Sequence, residues 1–178
     1  MRKFKLFFDE TKEEQWVNDM SQQGWHLKNH RIFFYIFEKG EPGQYVYRCD
    51  MLEGFGYSKV AKDYIDFVEG TGAELVYKKL HWVYFRQHRN VGPFELYSDT
   101  SSKLMLINRI LMLYIALALI GLLLAIINGG ASLYGEVLHL NDFFAGVGTG
   151  IFAVMLIPIT MLLIRRRNLK KKMALYEV

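Results

Sequence analysis

The sequence has few of the residues that mark common enzyme chemistries. Cys49 is the single cysteine in 178 residues, so no disulfide can form within the chain, as is typical of reducing surroundings. The phosphate-binding Gly-x-x-x-x-Gly-Lys loop, the Gly-x-Gly-x-x-Gly nucleotide motif and the His-Glu-x-x-His and Cys-x-x-Cys metal and redox motifs are all missing. We therefore expect no enzymatic activity, no cofactor and no metal site, and we interpret Cys49 as a buried structural thiol.

An excess of one charge is also missing over most of the chain. Residues 1–103 contain 15 Lys and Arg and 15 Asp and Glu, although the whole chain has a net charge of +4. The excess comes from a basic cluster near the end of the chain: Arg165, Arg166, Arg167, Lys170, Lys171 and Lys172. Because residues 1–103 offer no unbalanced cluster to phosphates, we expect no nucleic-acid partner.

Two long apolar blocks are present instead. Residues 110–127 and 143–164 contain no charged residue. As helices they would be about 27 and 33 Å long, close to the thickness of the hydrocarbon core of a bilayer. The apolar start of the chain stops at Asp9, too early for a signal peptide. These features predict a transmembrane hairpin that directs its own insertion and has the lipid bilayer as its partner.

The charges around the two blocks predict their orientation. The segment between them has no Lys or Arg, whereas Lys103 and Arg109 flank the first block and the basic cluster follows the second. The positive-inside rule then predicts a two-span protein of the cell membrane with both termini in the cytoplasm. Small residues suited to close helix contact follow in the two blocks: Gly121, Ala125, Gly146 and Gly150. They are predicted to pack the two spans against each other or to pack one protomer against another.

The predicted segments follow from these boundaries. They are a cytosolic α+β domain (1–90), a juxtamembrane linker (91–103), transmembrane helix 1 (104–128), a short external loop (129–142), transmembrane helix 2 (143–164) and a basic cytosolic tail (165–178).

Short strands alternate with two helices in the α+β domain. Asp9 or Thr11 caps the first helix, and Gly24 follows its last turn; the second helix runs over about residues 58–69. Strands are predicted near residues 2–8, 25–29, 32–38, 45–52, 73–77 and 80–86. The Glu-Pro-Gly-Gln turn at residues 41–44 is expected to join the third and fourth strands into a hairpin.

The domain also contains an internal similarity with an offset of 48 residues. Gly24 then falls on Gly72, Leu27 on Leu75 and Phe37 on Phe85. The similarity comes either from duplication or from chance likeness between two amphipathic units. It predicts an α+β fold in which two tandem β-α-β-β units form an antiparallel sheet with helices on one face, related to the ferredoxin-like arrangement.

Aromatic residues suggest a binding face on this sheet. Residues 32–37 are apolar at every position, so we expect both faces of that strand to be covered. The helices can cover one face; loops, a second copy of the chain, a ligand or the membrane surface would cover the other. The candidate binding residues are Phe33, Tyr35, Phe37, Tyr45, Tyr47, Trp82 and Tyr84.

Several segments together resemble one family, the domain of unknown function 2812 family. The likeness lies in residues 4–9, 14–20, 24–27, 37–42, 45–50 and 81–86. The resemblance implies a bacterial protein with transmembrane helices after the domain, often encoded near PadR-type regulators. It implies an accessory or regulatory role and supplies no catalytic residues.

The leading functional hypothesis is a non-enzymatic, membrane-anchored regulatory or sensory protein. Its cytosolic domain would bind a partner protein or a small ligand, and the chain could form a homo-oligomer or join another membrane protein. The alternative is an accessory subunit of a membrane transport or export complex. An enzyme acting on lipid at the cytosolic surface is a third class, for which His88 and Arg89 are only scattered candidates.

Overall fold

The protein consists of an α+β domain followed by a helical hairpin. The computed structural model describes residues 1–31, 33–53, 56–97, 100–133 and 139–176. The chain divides into two compact units, residues 1–98 and 99–178. In the first unit the elements are β1 (Arg2–Phe4), α1 (Glu10–Gln22), β2 (Trp25–Arg31), β3 (Phe34–Lys39), β4 (Tyr45–Met51), α2 (Lys59–Gly70), β5 (Ala73–Lys79), β6 (Trp82–His88) and a 3-10 turn (Arg89–Val91). The second unit contains α3 (Thr100–Leu133) and α4 (His139–Tyr176).

The predicted fold class is confirmed, but the strand pairing differs from the prediction. Among the described residues, six strands form two antiparallel sheets. Sheet A has the order β1-β3-β2, and sheet B has the order β4-β6-β5. The predicted single sheet and the β3–β4 hairpin are therefore wrong. The turn itself is present, with Gly43 at φ 71° and a bond from the Gln44 amide to the Glu41 carbonyl. It leads the chain from one sheet to the other.

The 48-residue similarity is a structural repeat. Shifting β2 and β3 by 48 residues gives the bounds of β5 and the start of β6, and both sheets place their strands in the order first, third, second. Each second strand has an irregularity at the same place, between Leu27 and Asn29 and between Leu75 and Tyr77. Matching topology and matching bulges favour duplication over chance likeness.

Glycines end both domain helices for a steric reason. Gly24 (φ 78°) and Gly72 (φ 88°) lie in the left-handed region, where a side chain is strained. At Gly24 a Cβ atom would also lie 2.8 Å from the Gly40 carbonyl oxygen. Asp9 caps the start of α1 by accepting from the Thr11 amide at 3.0 Å. Asp9, and not Thr11, is therefore the residue that caps the start of α1.

One face of α1 covers the free edge of β4. Asn18 donates to the Tyr47 carbonyl (2.9 Å) and accepts from the Tyr47 amide (2.8 Å). One turn earlier, Glu14 accepts from the Cys49 amide at 3.0 Å, and one turn later Ser21 donates to the Tyr45 carbonyl at 2.8 Å. The side chains thus bind alternate residues of the strand, which satisfies backbone groups that an edge strand otherwise leaves unpaired.

Sheet B separates two hydrophobic cores. Core 1 lies between α1, sheet A and one face of sheet B, and contains Val17, Met20, Leu27, Tyr35, Phe37, Tyr47, Cys49 and Tyr84. Core 2 lies beneath α2 on the other face and contains Leu52, Ala61, Ile65, Val68, Ala73, Val83, Phe85 and Phe94. The two helices therefore lie on opposite faces of sheet B, and not on one face of a common sheet as predicted.

The helices of the second unit are longer than the predicted spans. Among the described residues, two helices are long and apolar enough to cross a membrane by length and composition, Thr100–Ala131 and Leu140–Ala174. Most of the predicted external loop is helical, since α3 runs to Leu133 and α4 begins at His139. The predicted tail, with its basic cluster, continues α4 as far as Tyr176.

Glycine contacts bring α3 and α4 together. A Cβ atom at Gly148 would lie 2.5 Å from the Gly121 carbonyl oxygen and 2.6 Å from the Ala125 amide nitrogen. Gly146 and Gly150 have open space where a Cβ atom would be. Within the hairpin the close approach on α4 therefore uses Gly148, which corrects the prediction for Gly146 and Gly150. Packing of those two residues between protomers stays a prediction.

Candidate functional site

Most of the predicted aromatic binding residues lie in core 1. Tyr35 and Phe37 share the inner face of sheet A, and Tyr47 and Tyr84 share the facing side of sheet B. All four are buried. Tyr45 and Trp82 lie on the same side of sheet B and are half-buried, whereas Phe33 follows β2 and is exposed. The domain's own elements cover this aromatic face, so the buried members present no open surface to a ligand.

A carboxylate joins two of these tyrosines inside core 1. The Glu13 Oε1 atom accepts from the hydroxyl of Tyr35 at 2.7 Å and from the hydroxyl of Tyr84. Burial is the largest cause that raises the pKa of each tyrosine hydroxyl, so both stay protonated as donors. The arrangement satisfies three polar groups within the core and stabilises the contact between α1 and the two sheets.

Cys49 is held as a thiol. It is buried, and burial raises its pKa well above the usual value. Its Sγ atom lies 3.7 Å from the Glu10 carbonyl oxygen. Nucleophilic cysteines are accessible and have lowered pKa values, so this environment is that of a structural cysteine. Among the described residues, no three His, Cys, Asp or Glu side chains are grouped so that they could hold a metal ion.

The α+β domain contains a cavity of about 300 Å³ beside core 2. One wall is the C-terminal half of α2, with Tyr64, Phe67 and Val68, and Thr71 lies at the helix end. The opposite wall belongs to residues 91–97, which we call the closing segment. Val68 is buried, whereas Phe67 is exposed. Val68 therefore gives the cavity an apolar floor and Phe67 lies at its open rim, while Thr71, Gln87 and Glu95 add polar groups to the lining.

Gln87, on β6, places one polar group in the lining of the cavity. It follows Val83 and Phe85 on the face of β6 that points into core 2, and it is only 6% exposed. Its Nε2 atom donates to the Thr71 carbonyl at 3.2 Å, which fixes the orientation of the amide. Its Oε1 atom is buried and accepts no hydrogen bond from any residue in the described part of the chain. A buried acceptor without a partner costs about 1–3 kcal/mol.

The closing segment is fixed at several points. Phe94 is buried in core 2. The Tyr97 hydroxyl donates to one oxygen of the buried Asp50 carboxylate, and the Tyr64 hydroxyl donates to the other oxygen at 2.6 Å. Glu95 lies 3.4 Å from the guanidinium of Arg48. The wall of the cavity is therefore an ordered part of the domain, although the sequence pattern predicts a linker from residue 91.

The sequence pattern does not predict this cavity, for an identifiable reason. The closing segment contains the Gly92-Pro93 pair, which indicates a break in structure, so the pattern predicts a polar linker there. The signal against that interpretation is the apolar content of Phe94, Leu96 and Tyr97. Gln87 also departs from the alternation of β6, because it occupies a buried position where that row otherwise has apolar residues.

The fold defines a class of protein in which an α+β domain with two cores precedes two helices suited to cross a membrane. The chain belongs to the family described as protein of unknown function (DUF2812), whose model matches residues 9–119. The match begins at the cap of α1 and extends into α3, beyond the resembling segments, which end at residue 86. The chain has no match among curated proteins and none among solved structures.

Proposed function

We propose that this protein is a membrane-anchored, non-enzymatic regulatory or sensory protein whose cytosolic α+β domain binds a small molecule in the cavity beside Gln87. The observation that carries the proposal is the buried Gln87 Oε1 atom, which has no partner among the described residues and lies in a residue that lines the cavity. A ligand that donates a hydrogen bond there would recover the cost of the unpaired acceptor.

The lining of the cavity favours one kind of ligand. Tyr64, Val68, Phe94 and Leu96 offer apolar contact, and Gln87 offers a neutral acceptor. Ligand pockets typically have volumes of about 300–1,000 Å³, so this cavity suits a small ligand. Thr71 and Glu95 add polar lining, so we infer a compact molecule that has an apolar part and a hydroxyl or amide donor.

The path of the chain supports a sensory role. The closing segment forms one wall of the cavity, and α3 begins at Thr100, shortly after it. A ligand that contacts this wall would act on the stretch of chain that leads into the hairpin. A cytosolic position for the domain is supported by the lack of Lys and Arg between the two helices and by the basic cluster after the second.

Native mass spectrometry of the full-length protein, purified in mild detergent, tests the proposal. We expect a bound small molecule that is lost from Gln87→Leu, which removes the acceptor, and from Val91→Trp, which fills the rim. Val60→Trp is the matched control, since Val60 and Val91 are 59% and 58% exposed and Val60 does not line the cavity. Absence of any bound molecule, or equal retention by Val91→Trp and Val60→Trp, would contradict the proposal.

A further inference from the structure

Sheet A has a second face, opposite core 1, that we call the outer face. The register places Arg31, Phe34 and Phe4 in one row across the three strands, and Asn29, Ile36 and Arg2 in the next. These six residues alternate along the strands with the inward-facing Tyr35 and Phe37, so their side chains point away from the core.

The outer face exposes large apolar side chains. Phe4 is 66% exposed, and Phe33, at the turn beside it, is 43% exposed. The two rings lie 6.1 Å apart, and Phe4 also contacts Phe34 at 5.4 Å. The Arg2 guanidinium lies 4.3 Å above the Phe34 ring. Aromatic rings and cations thus alternate on one surface.

The charge of sheet A is strongly unbalanced. Its three strands carry five basic residues and one acidic residue, Glu38. Glu38 is already paired with Lys28 at 3.1 Å. Of the other four basic residues, all exposed, Arg2 and Arg31 lie on the outer face, whereas Lys3 pairs with Tyr35 and Lys39 with Trp25 in the alternate rows. The neutral total over residues 1–103 therefore conceals two exposed cations, Arg2 and Arg31, on the outer face.

We propose that the outer face of sheet A docks on the anionic lipid headgroups of the membrane that the hairpin crosses. Exposed phenylalanines beside arginines are the composition of interfacial membrane anchors, in which rings enter the headgroup region and cations meet phosphates. A nucleic acid would satisfy the cations but would leave the exposed Phe4 and Phe33 without an apolar environment. The membrane is also the surface to which the same chain is anchored, so the docking partner is always near.

Docking of this kind orients the domain on the bilayer and makes its position sensitive to lipid charge. It does not depend on the cavity, because the cavity lies beside sheet B. Each basic residue near an anionic surface contributes about a fivefold factor to binding. Removal of Arg2 and Arg31 together should lower the ratio of docked to undocked domain by about 25-fold.

A fluorescent label at residue 33 tests the proposal on the full-length protein in nanodiscs. Cys49 is buried, so a thiol-reactive, polarity-sensitive dye attaches to an introduced Phe33→Cys. The nanodiscs contain phosphatidylcholine alone or with phosphatidylglycerol, and brominated lipid serves as the quencher. Val60→Cys on the exposed side of α2 is the control position.

We expect a blue shift and quenching at residue 33 in the anionic nanodiscs, weakened by high salt and by Arg2→Gln with Arg31→Gln. Lys59→Gln with Lys62→Gln removes the same charge from α2 and should leave the signal unchanged. Equal signals at residues 33 and 60, or no dependence on phosphatidylglycerol, would overturn the proposal. A response to duplex DNA without a response to anionic lipid would overturn it in favour of nucleic acid.

Discussion

The side chain of Asn18 should contribute more to stability than its half-buried position on a helix suggests. Its amide forms two hydrogen bonds with the backbone of Tyr47, at 2.9 and 2.8 Å, on the edge strand β4. Each such bond contributes about 1 kcal/mol net, and unpaired backbone groups add to the cost of its removal. Asn18→Ala should therefore lower the free energy of unfolding by about 2–3 kcal/mol.

Tryptophan fluorescence gives a selective assay for this change. Trp16, Trp25 and Trp82 are the only tryptophans of the chain, and all three lie in the α+β domain. Urea titration of the full-length protein in mild detergent would therefore follow that domain alone. For a domain of about 100 residues, we expect the urea midpoint to fall by about 1–2 M and the thermal midpoint by about 8–16 °C.

The neighbouring residue provides the control. Asp19 is exposed on the same helix, so Asp19→Ala should change the free energy of unfolding by less than about 0.5 kcal/mol. If Asn18→Ala and Asp19→Ala had equal midpoints, the edge of β4 would not depend on α1 and the reasoning would be refuted. Faster hydrogen exchange at the Tyr47 amide in Asn18→Ala would locate the effect at the strand edge.

Three further predictions concern the helix contact, the thiol and a carboxylate. Gly148→Leu should destabilise the hairpin in detergent by about 1–3 kcal/mol or more, since a Cβ atom at this position would lie 2.5 Å from the Gly121 carbonyl oxygen. Gly146→Leu, at a position with open space, should leave the thermal midpoint of the hairpin unchanged, and equal effects of the two substitutions would count against the contact. Cys49 should react with a maleimide at pH 8 only after urea unfolds the domain, because it is buried and burial raises its pKa; rapid labelling of the folded protein would refute this. Burial is also the largest cause that raises the pKa of Glu14 above 4.5 in the folded state. Protonation of Glu14 therefore stabilises the folded state; this stabilisation is full below about pH 4.5 and is lost as the pH rises through the pKa that Glu14 has in the folded state. The free energy of unfolding of the wild type minus that of Glu14→Gln should therefore fall between pH 4.5 and 7 in urea titrations, and a rise would show the opposite sign.

Local signals predicted the elements of the α+β domain well. Asp9 and Ser58 cap the two helices, and Gly24 and Gly72 follow their last turns, so the helix bounds could be found from short patterns. The pairing of β4 with β6 could not be found in this way. The turn at residues 41–44 has the sequence of a tight turn whether or not the strands that it joins pair with each other. The strand that pairs with β4 is β6, about 40 residues further along the chain.

The cavity was harder to predict than the fold. Gln87 has meaning only when its position on the inner face of β6 is known, and the closing segment forms a wall only because Phe94 reaches core 2. In the hairpin, spacing alone suggested Gly146 and Gly150, whereas the rotation of α4 brings Gly148 to the contact. Because α4 has small residues at several positions, the sequence does not show which of them faces α3. The packing of the two helices determines that residue.

The first repeat (β1-α1-β2-β3) and the second repeat (β4-α2-β5-β6) differ in how they bury their apolar residues. This difference has a consequence for the order of folding. Core 2 draws its strands and helix from the second repeat, with Phe94 added from the closing segment. Core 1 needs Tyr47, Cys49 and Tyr84 of the second repeat to complete the residues of the first. The residues of core 2 can therefore pack without the first repeat, whereas core 1 needs residues of both repeats. During synthesis core 1 can close only after β6, the last strand, has left the ribosome, so α1 and sheet A cannot bury their apolar residues fully before that point.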